Sequence, residues 1–194
     1  MHLSALLDSP LVHSTVSRLV YDCNRPPESP TAMPERSEDT VIPGNIGLTD
    51  AARQERITRV YRPFEALLAT TLDERTAPPV MLTIHSFTPV FRGVHRTVEI
   101  GFLYDSDSRL ADALLDIATG YAIARNEPYG PADGVTHTLR HHALPCGLLN
   151  VMIEVRNDLI ATPSQCSAMA ETLADWINRA LDRCAIPQAA RAGA

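Results

Sequence analysis

The sequence predicts an α/β fold whose sheet is mostly parallel and has helices on both faces. Stretches of strand length that are rich in apolar residues alternate with helical segments, and this order is typical of parallel sheets. The 194 residues suffice for a sizeable core, and a composition of 45% hydrophobic and 21% charged residues is typical of globular proteins. Neither an internal repeat nor a linker is evident, so residues 1–194 are predicted to form a single domain.

The first part of the chain is predicted to hold a strand, a long loop and a long helix. Residues 1–8 have leucines at helical spacing and resemble the tail of a helix that Pro10 ends. Residues 11–21 are rich in Val, Thr and Leu and predict a strand, and the proline-rich residues 24–48 predict a loop. Thr49 or Asp50 is suited to cap a helix to about Arg75. The predicted buried stripe of this helix consists of Ile57, Val60, Phe64, Leu67 and Leu68.

The remaining residues predict four strands and two helices. The near-continuous apolar run of residues 80–87 favours a central strand that is covered on both faces. The last helix begins near Pro163, and residues 188–194 are expected to fray. The other predicted elements are strands over residues 97–104, 121–125 and 148–155, a helix from Ser106 or Asp107 to about Thr119, and a loop over residues 126–138.

Every one of the 17 basic residues is arginine, and the chain has no lysine. This excludes a Schiff-base lysine and a P-loop lysine. An anionic substrate must therefore be held by arginine, which binds carboxylates through a bidentate fork. The net charge of -6 argues against nucleic acid as a partner.

The four cysteines include no CxxC pair, which argues against a cysteine-rich zinc site. The N-terminus lacks the basic and apolar regions of a secretory signal, and no apolar run has the length of a membrane helix. A cytoplasmic location with free thiols is the resulting expectation.

Polar residues lie at the C-terminal ends of three of the predicted strands. Asn24 and Arg25 follow the first, His85 lies near the end of the second, and Glu154 and Arg156 lie at the end of the last. Sites in open α/β sheets lie beyond the C-terminal ends of strands, so these residues are expected to meet at one edge. A histidine there can hold zinc, a carboxylate can move a proton, and an Asn-Arg pair can bind a carboxylate. Each cluster also has an interpretation without a function. The histidine could simply be hydrogen-bonded, Glu154 could form an ion pair with Arg156, and Asn24 could lie in a simple turn.

His137 and His141 form a second candidate arrangement of histidines. His137 and His141 have a metal-ligand spacing for a helix, but they follow a loop and are expected to lie on an extended segment, where that geometry fails. The sequence has no GxSxG, GxGxxG or GxxxxGK motif, which argues against a nucleophile elbow and against nucleotide-binding loops.

Six strings resemble the N-formylglutamate amidohydrolase family in order and content. They are SRLVYDCNRPP, IPGN, YRPFEALL, IHSFTP, NEPYGPADGVTHTL and VMIEVRNDLI, spread over residues 17–160. The resemblance implies a three-layer α/β/α fold with a mixed sheet, related to the zinc carboxypeptidases. It also implies zinc-dependent hydrolysis of the amide of an N-acylated acidic amino acid, with N-formyl-L-glutamate giving formate and glutamate.

The resemblance also implies roles for individual residues. His85 resembles the family's residue that binds zinc. Glu154 resembles the general base that takes a proton from the zinc-bound water. Asn24 and Arg25 resemble the pair that binds the α-carboxylate of the substrate. Arg18 lies on the same predicted strand and is a weaker match to a group that polarises the scissile carbonyl.

Three further positions are weaker matches. Tyr129 lies where a loop could close on the substrate, and Arg156 is expected either to contact substrate or to orient Glu154. His142 resembles a position near the substrate without an assigned role.

The sequence departs from the family at its N-terminus. The strand, loop and acidic residue that contribute the other zinc ligands are missing before residue 1, so a truncated version of the domain is expected. The alternative to an enzyme is an inactive homologue that binds carboxylate ligands, or a chain whose site a partner chain completes. A small-molecule substrate and a possible homo-oligomer are the expected partners, with neither nucleic acid nor membrane.

Overall fold

The computed structural model describes residues 1–185, which divide into two compact units. The first, called the sheet unit, comprises Met1–Leu11 and the chain from Arg75 onward. The second, called the loop–helix unit, comprises Val12–Glu74. The single-domain expectation stays a prediction, and the tail predicted to fray lies outside the described residues.

The sheet unit contains a mixed four-stranded sheet. Its strands and helices are α1 (His2–Leu6), β3 (Met81–Phe87), β4 (Val90–Phe91), β5 (Val94–His95), β6 (Ile100–Leu103), α4 (Arg109–Leu115), β7 (Ile123–Arg125), β8 (Asn150–Arg156) and α5 (Pro163–Arg183). The strand order is β3-β8-β6-β7, and β4 with β5 forms a separate hairpin. The pairs β3–β8 and β6–β7 are parallel, whereas β6–β8 is antiparallel. The predicted α/β class with a mostly parallel, mixed sheet is confirmed, and the three-layer arrangement stays a prediction.

Alternation along β8 separates an apolar face of the sheet from a polar one. Val151, Ile153 and Val155 lie in the main hydrophobic core together with residues of α4 and α5. Since successive side chains of a strand point to opposite faces, Asn150, Met152 and Glu154 line the other face. The polar face of β8 thus carries one of the predicted site residues.

The prediction that residues 80–87 form a central strand is wrong. Within the described residues, β3 pairs with β8 alone and lies at the edge of the sheet. Ile84 on this strand is 48% exposed. A run of apolar residues predicts a strand, but its partners come from distant parts of the chain, so the run does not identify a central position.

The loop–helix unit is built from a loop and a long helical segment. Its elements are β1 (Arg36–Ser37), β2 (Thr40–Val41), α2 (Asp50–Arg56) and α3 (Arg62–Asp73), with a wider π-helical turn at Ile57–Tyr61 that joins the two helices. The Thr49 hydroxyl accepts a hydrogen bond from the amide of Ala52, which confirms the predicted cap. The predicted stripe is confirmed at Ile57, which is buried, whereas Leu67 is 56% exposed.

The predicted strand over residues 11–21 is absent from the described structure, where these residues form turns and irregular backbone. Serine side chains explain the difference. The Ser14 hydroxyl accepts from the amide of Val16 and the Ser17 hydroxyl from that of Leu19, both at 3.2 Å. Such local bonds offer the backbone an alternative to strand pairing.

No helix within residues 1–185 is long and apolar enough to cross a lipid bilayer.

Candidate active site

The parallel pairing of β3 and β8 brings two of the predicted site residues together. His85 is the register partner of Glu154, so their Cα atoms are about 5 Å apart and their side chains point to the same face. Glu154 is 4% exposed, and His85 is half-buried. A carboxylate and an imidazole thus lie side by side near the C-terminal ends of two parallel strands.

Two buried oxygen atoms lie on the same face. Neither Thr83 Oγ1 on β3 nor Asn150 Oδ1 on β8 has a hydrogen-bond partner among the described residues. Thr83 lies two residues before His85, and Asn150 lies four residues before Glu154, so both side chains point to the face of the pair. This face of the sheet therefore carries more polar groups than a face that only packs against a hydrophobic core.

A loop crosses the sheet next to Glu154. Gly101 on β6 is the register partner of Glu154, and a Cβ atom at Gly101 would overlap the carbonyl oxygen of Glu127. The absence of a side chain at Gly101 is thus what lets the loop lie against the sheet. Tyr129, two residues further along, packs against a small core that contains Leu103 and Met152. The structure therefore places Tyr129 on the same face as His85 and Glu154.

Arg156 is the centre of an ion-pair network. Its Nε and Nη2 donate to the Asp158 carboxylate at 2.8 and 3.2 Å, and Nη2 also lies 3.2 Å from Glu99 Oε1. Its Nη1 donates to the carbonyl oxygen of Arg96 at 3.2 Å. Hydrogen bonding to Arg156 holds the pKa of Asp158 below its usual range. These contacts link the end of β8 to residues 96–99 and to Asp158, and a substrate contact of Arg156 stays a prediction.

Asn24 and Arg25 lie in the loop–helix unit, on a turn that Asp22 organises. Asp22 is 7% exposed, and its Oδ1 accepts a hydrogen bond from the Asn24 amide at 3.0 Å. The Asp22 carbonyl accepts from the Arg25 amide at 2.9 Å. The Arg25 Nη1 donates to the Asn24 carbonyl at 2.9 Å. The backbone of both predicted carboxylate-binding residues is thus fixed within their own unit.

Arg18 forms an ion pair in the same unit. Its Nη2 lies 2.7 Å from Asp22 Oδ2, while its side chain is 70% exposed. Its predicted action on the scissile carbonyl stays a prediction. That all three strand-end clusters meet at one site also stays a prediction, since Asn24 and Arg25 belong to one unit and His85 and Glu154 to the other.

Buried hydroxyl and thiol groups surround the Asp22 turn. Burial raises the pKa of Cys23, and it raises the pKa of Tyr21 and Tyr61 well above their usual range. The Tyr21 hydroxyl therefore keeps its proton and donates to the carbonyl of Arg25 at 3.4 Å. The Cys23 thiol likewise stays protonated at neutral pH, which makes it a poor nucleophile.

The prediction that His137 and His141 lie on an extended segment is wrong. Both lie on consecutive helical turns, Leu139–Ala143 being π-helical, and their rings stack with centroids 5.5 Å apart. The ring of His142 lies 4.7 Å from that of His141. The Gly-, Asp- and Pro-rich loop before them ends earlier than its composition indicates, and the helical turns begin at His137.

The described residues do not fit a complete zinc site. A catalytic zinc is held by three protein ligands. Among residues 1–185, no three His, Cys, Asp or Glu side chains are arranged so that they could hold a metal. This applies both to the His85–Glu154 pair and to the histidines after residue 136. His85 as a zinc ligand stays a prediction.

Three residues of the site were missed by sequence reasoning. Asp22 is not among the predicted site residues, although aspartate commonly begins a turn by accepting a hydrogen bond from the backbone amide two residues on. Gly101 could have been noticed as a glycine inside a strand, which often marks a close approach of another backbone. Arg96 had no signal, because its contacts come from three separate segments.

Residues 1–161 match the model of the N-formylglutamate amidohydrolase family. A crystal structure of a gene product from Agrobacterium tumefaciens is 53% identical with a TM-score of 0.83, covering 87% of this chain and 69% of that one. The N-formylglutamate amidohydrolase of Ralstonia eutropha is 20% identical with a TM-score of 0.55, covering 92% and 83%, and shows likeness of fold alone. No curated protein gave a match.

Proposed function

Because the chain belongs to the N-formylglutamate amidohydrolase family, we propose that it hydrolyses the amide of an N-acylated acidic amino acid. N-formyl-L-glutamate, which gives formate and glutamate, is the proposed representative substrate. The family match and the arrangement of His85 and Glu154 on adjacent parallel strands support the proposal.

The observation that carries the proposal is the side-by-side placement of Glu154 and His85. Hydrolysis of an amide needs a group that removes a proton from water and returns it to the leaving amine. A carboxylate on a strand is held more rigidly than one on a loop. Bulk water also competes less for hydrogen bonds to a carboxylate that is buried. Glu154 has both properties.

Glu154 acts as the general base in this proposal. It takes a proton from a water molecule as the water oxygen attacks the acyl carbon. The C–N bond then breaks, and the proton passes from Glu154 to the leaving amine. The products are a carboxylic acid, which ionises to formate in the case of the formyl group, and the free amino acid.

Asn24 and Arg25 bind the α-carboxylate of the substrate in this proposal. An arginine–carboxylate pair is charge-assisted and directional, and the asparagine amide adds one more donor. Their backbone is fixed by Asp22, so little ordering is needed when the ligand binds. Tyr129, on the loop beside Glu154, is proposed as a further substrate contact.

Zinc dependence is also part of the proposal. His85 is the ligand that this chain would contribute, and a second copy of the chain or another partner would supply the others, because residues 186–194 contain no His, Cys, Asp or Glu. Zinc bound to the chain would polarise the acyl oxygen and lower the pKa of a bound water. The test is zinc content per chain, by elemental analysis of gel-filtered protein without an affinity tag, where about one zinc per chain is expected.

The second candidate function is a non-catalytic domain that binds carboxylate ligands. One observation favours it, namely that residues 1–185 assemble no three-ligand group that could hold a metal.

Two further proposals concern location and assembly. We propose a cytoplasmic location and a homo-oligomer in which a second copy could complete the site. The mass of the particle in solution, measured by light scattering at two concentrations, tests the oligomer.

A substrate panel distinguishes the two functions. N-formyl-L-glutamate, N-acetyl-L-glutamate and N-formyl-L-leucine are incubated with the chain, and amine release is measured. The enzyme reading predicts release from the two glutamate compounds. Binding of these compounds in calorimetry without release, in zinc-supplemented buffer, would support the non-catalytic reading instead.

A further inference from the structure

We propose that Arg96 binds the side-chain carboxylate of the substrate and thereby selects acidic over neutral N-acyl amino acids. The inference rests on the proposed function and adds the residue that would determine its specificity. It follows from three features of Arg96, namely the rings around its guanidinium, the absence of a carboxylate partner within residues 1–185 and its position beside the His85–Glu154 pair.

Three aromatic rings surround the Arg96 guanidinium. Its Cζ atom lies 4.5 Å from the ring centroid of Phe91, 4.8 Å from that of Tyr129 and 5.5 Å from that of Phe87. Ring faces attract a cation, but they offer its N–H groups no strong acceptor. The rings also lower the local dielectric constant, which strengthens any ion pair that forms there.

The hydrogen-bonding capacity of Arg96 is mostly unused within the described residues. A guanidinium has five N–H donors. Here the side chain makes one long hydrogen bond, from Nη1 to the Thr88 carbonyl at 3.4 Å, and no ion pair within residues 1–185. Arg125 and Arg156, by contrast, each bind at least one carboxylate. A half-buried arginine without an anion is suited to accept one from a ligand.

The rings that hold Arg96 belong to the two sides of the candidate site. Phe87 follows His85 by two residues on the same face of β3, a distance of about 6–7 Å along the strand. Tyr129 lies on the loop that approaches Gly101, the register partner of Glu154. Arg96 therefore contacts both the strand that carries His85 and the loop that lies next to Glu154. In this proposal the acidic side chain of the substrate lies against Arg96 while its amide lies at Glu154.

The main chain of Arg96 is fixed before any ligand binds. Its amide donates to the Pro89 carbonyl at 2.9 Å, and its carbonyl accepts from Arg156 Nη1 at 3.2 Å. Arg156 is anchored in turn by Glu99 and Asp158. This network preorganises the backbone below the guanidinium, which reduces the cost of binding an anion.

Charge explains why such a residue would discriminate. A glutamate carboxylate can accept two parallel hydrogen bonds from arginine and neutralise its charge. A glutamine amide has the same size, but it offers one acceptor oxygen and turns an NH₂ donor towards other donors. With no lysine in the chain, an arginine is the only permanently charged group that could make this distinction.

The test is equilibrium binding of N-formyl-L-glutamate and N-formyl-L-glutamine by calorimetry. Wild type is expected to bind the glutamate compound at least about tenfold more tightly, since one charge-assisted pair commonly accounts for 10- to 100-fold. Arg96→Gln is expected to remove this preference by weakening the glutamate compound alone. The matched control is Arg92→Gln, because Arg92 stacks on the same Phe91 ring at 5.3 Å and is exposed.

Arg96→Lys keeps the test informative if Arg96→Gln misfolds. Lysine retains the positive charge but cannot form two parallel hydrogen bonds with a carboxylate. Its preference is expected to fall between those of wild type and Arg96→Gln. An Arg96→Gln protein that retains the preference, or that loses affinity for both compounds equally, would overturn the proposal. So would an Arg92→Gln protein with the same selective loss.

Hydrolysis measured in parallel separates this proposal from the proposed function. Selective binding that depends on Arg96, without turnover of either compound at any zinc concentration, supports the role of Arg96 and contradicts the amidohydrolase. Turnover of both compounds with equal efficiency and equal affinity contradicts the role of Arg96 and the restriction to acidic substrates, but it supports the amidohydrolase reaction itself.

Discussion

His85 and Glu154 are register partners on two adjacent parallel strands, although 68 residues separate them in the chain. The pairing of β3 with β8 sets their separation, and alternation along both strands sets their common face. Gly101 continues the row on the other side of Glu154 and makes room for the loop that carries Tyr129. The arrangement therefore depends on backbone register more than on any local motif.

Arg25→Ala is expected to weaken binding of N-formyl-L-glutamate. Loss of a charge-assisted pair with the α-carboxylate should raise KM or Kd by about 10- to 100-fold. Steady-state kinetics or calorimetry measures this, with Arg36→Ala as the control because Arg36 is exposed on the same unit. Equal effects of the two substitutions would contradict a specific role of Arg25.

Gly101→Ala is expected to displace the loop over the sheet. The new methyl group would overlap the Glu127 carbonyl, and such overpacking costs about 1–3 kcal/mol. Urea denaturation should show this loss, together with reduced turnover. Gly44→Ala serves as the control, since its Cβ would meet no atom closer than 3.9 Å. A Gly101→Ala protein as stable and active as wild type would show that the loop does not lie there.

The Arg156–Asp158 ion pair predicts a change of stability on the acid side. The pKa of Asp158 is lower in the folded chain than its ordinary value of 3.8, so the pair stabilises the fold above that value. The contribution is lost as pH falls through the depressed pKa. Asp158→Asn should therefore be less stable than wild type at neutral pH, and the difference should vanish in strong acid. Thermal melts from pH 7 downward measure it, and a difference that grows on acidification would contradict the sign.

His85→Ala is expected to lower zinc occupancy if His85 is a ligand. One of three ligands would be lost, and zinc retention after gel filtration should fall below that of wild type. His13→Ala, at an exposed position of the other unit, controls for adventitious histidine binding. Unchanged occupancy in His85→Ala would place any metal elsewhere.

Local signals predicted much of the fold. Thr49 has the side chain of a cap and caps a helix, and Pro163 begins α5 as its position predicts. The strand at β8 follows from its apolar run. These features depend on residues that are close in sequence, which is why they can be predicted from the sequence.

Features that depend on distant partners were not predictable in the same way. The edge position of β3 depends on which strands pair with it, and the turns over residues 11–21 depend on competition between serine bonds and a sheet partner. His85 and Glu154 were identified individually from their strand ends and from the resemblance. Their common register appears only in the folded chain, and so does the contact of Arg96 with two segments, residues 87–91 and the loop at Tyr129.

The most direct test of the central claim is formate release from N-formyl-L-glutamate by wild type and Glu154→Gln. Removal of a general base is expected to lower kcat by about 100-fold or more, while calorimetry shows nearly unchanged binding. Glu171→Gln, an exposed glutamate of α5, should behave like wild type. Formate release by Glu154→Gln at the wild-type rate would contradict the assignment of Glu154 as the base.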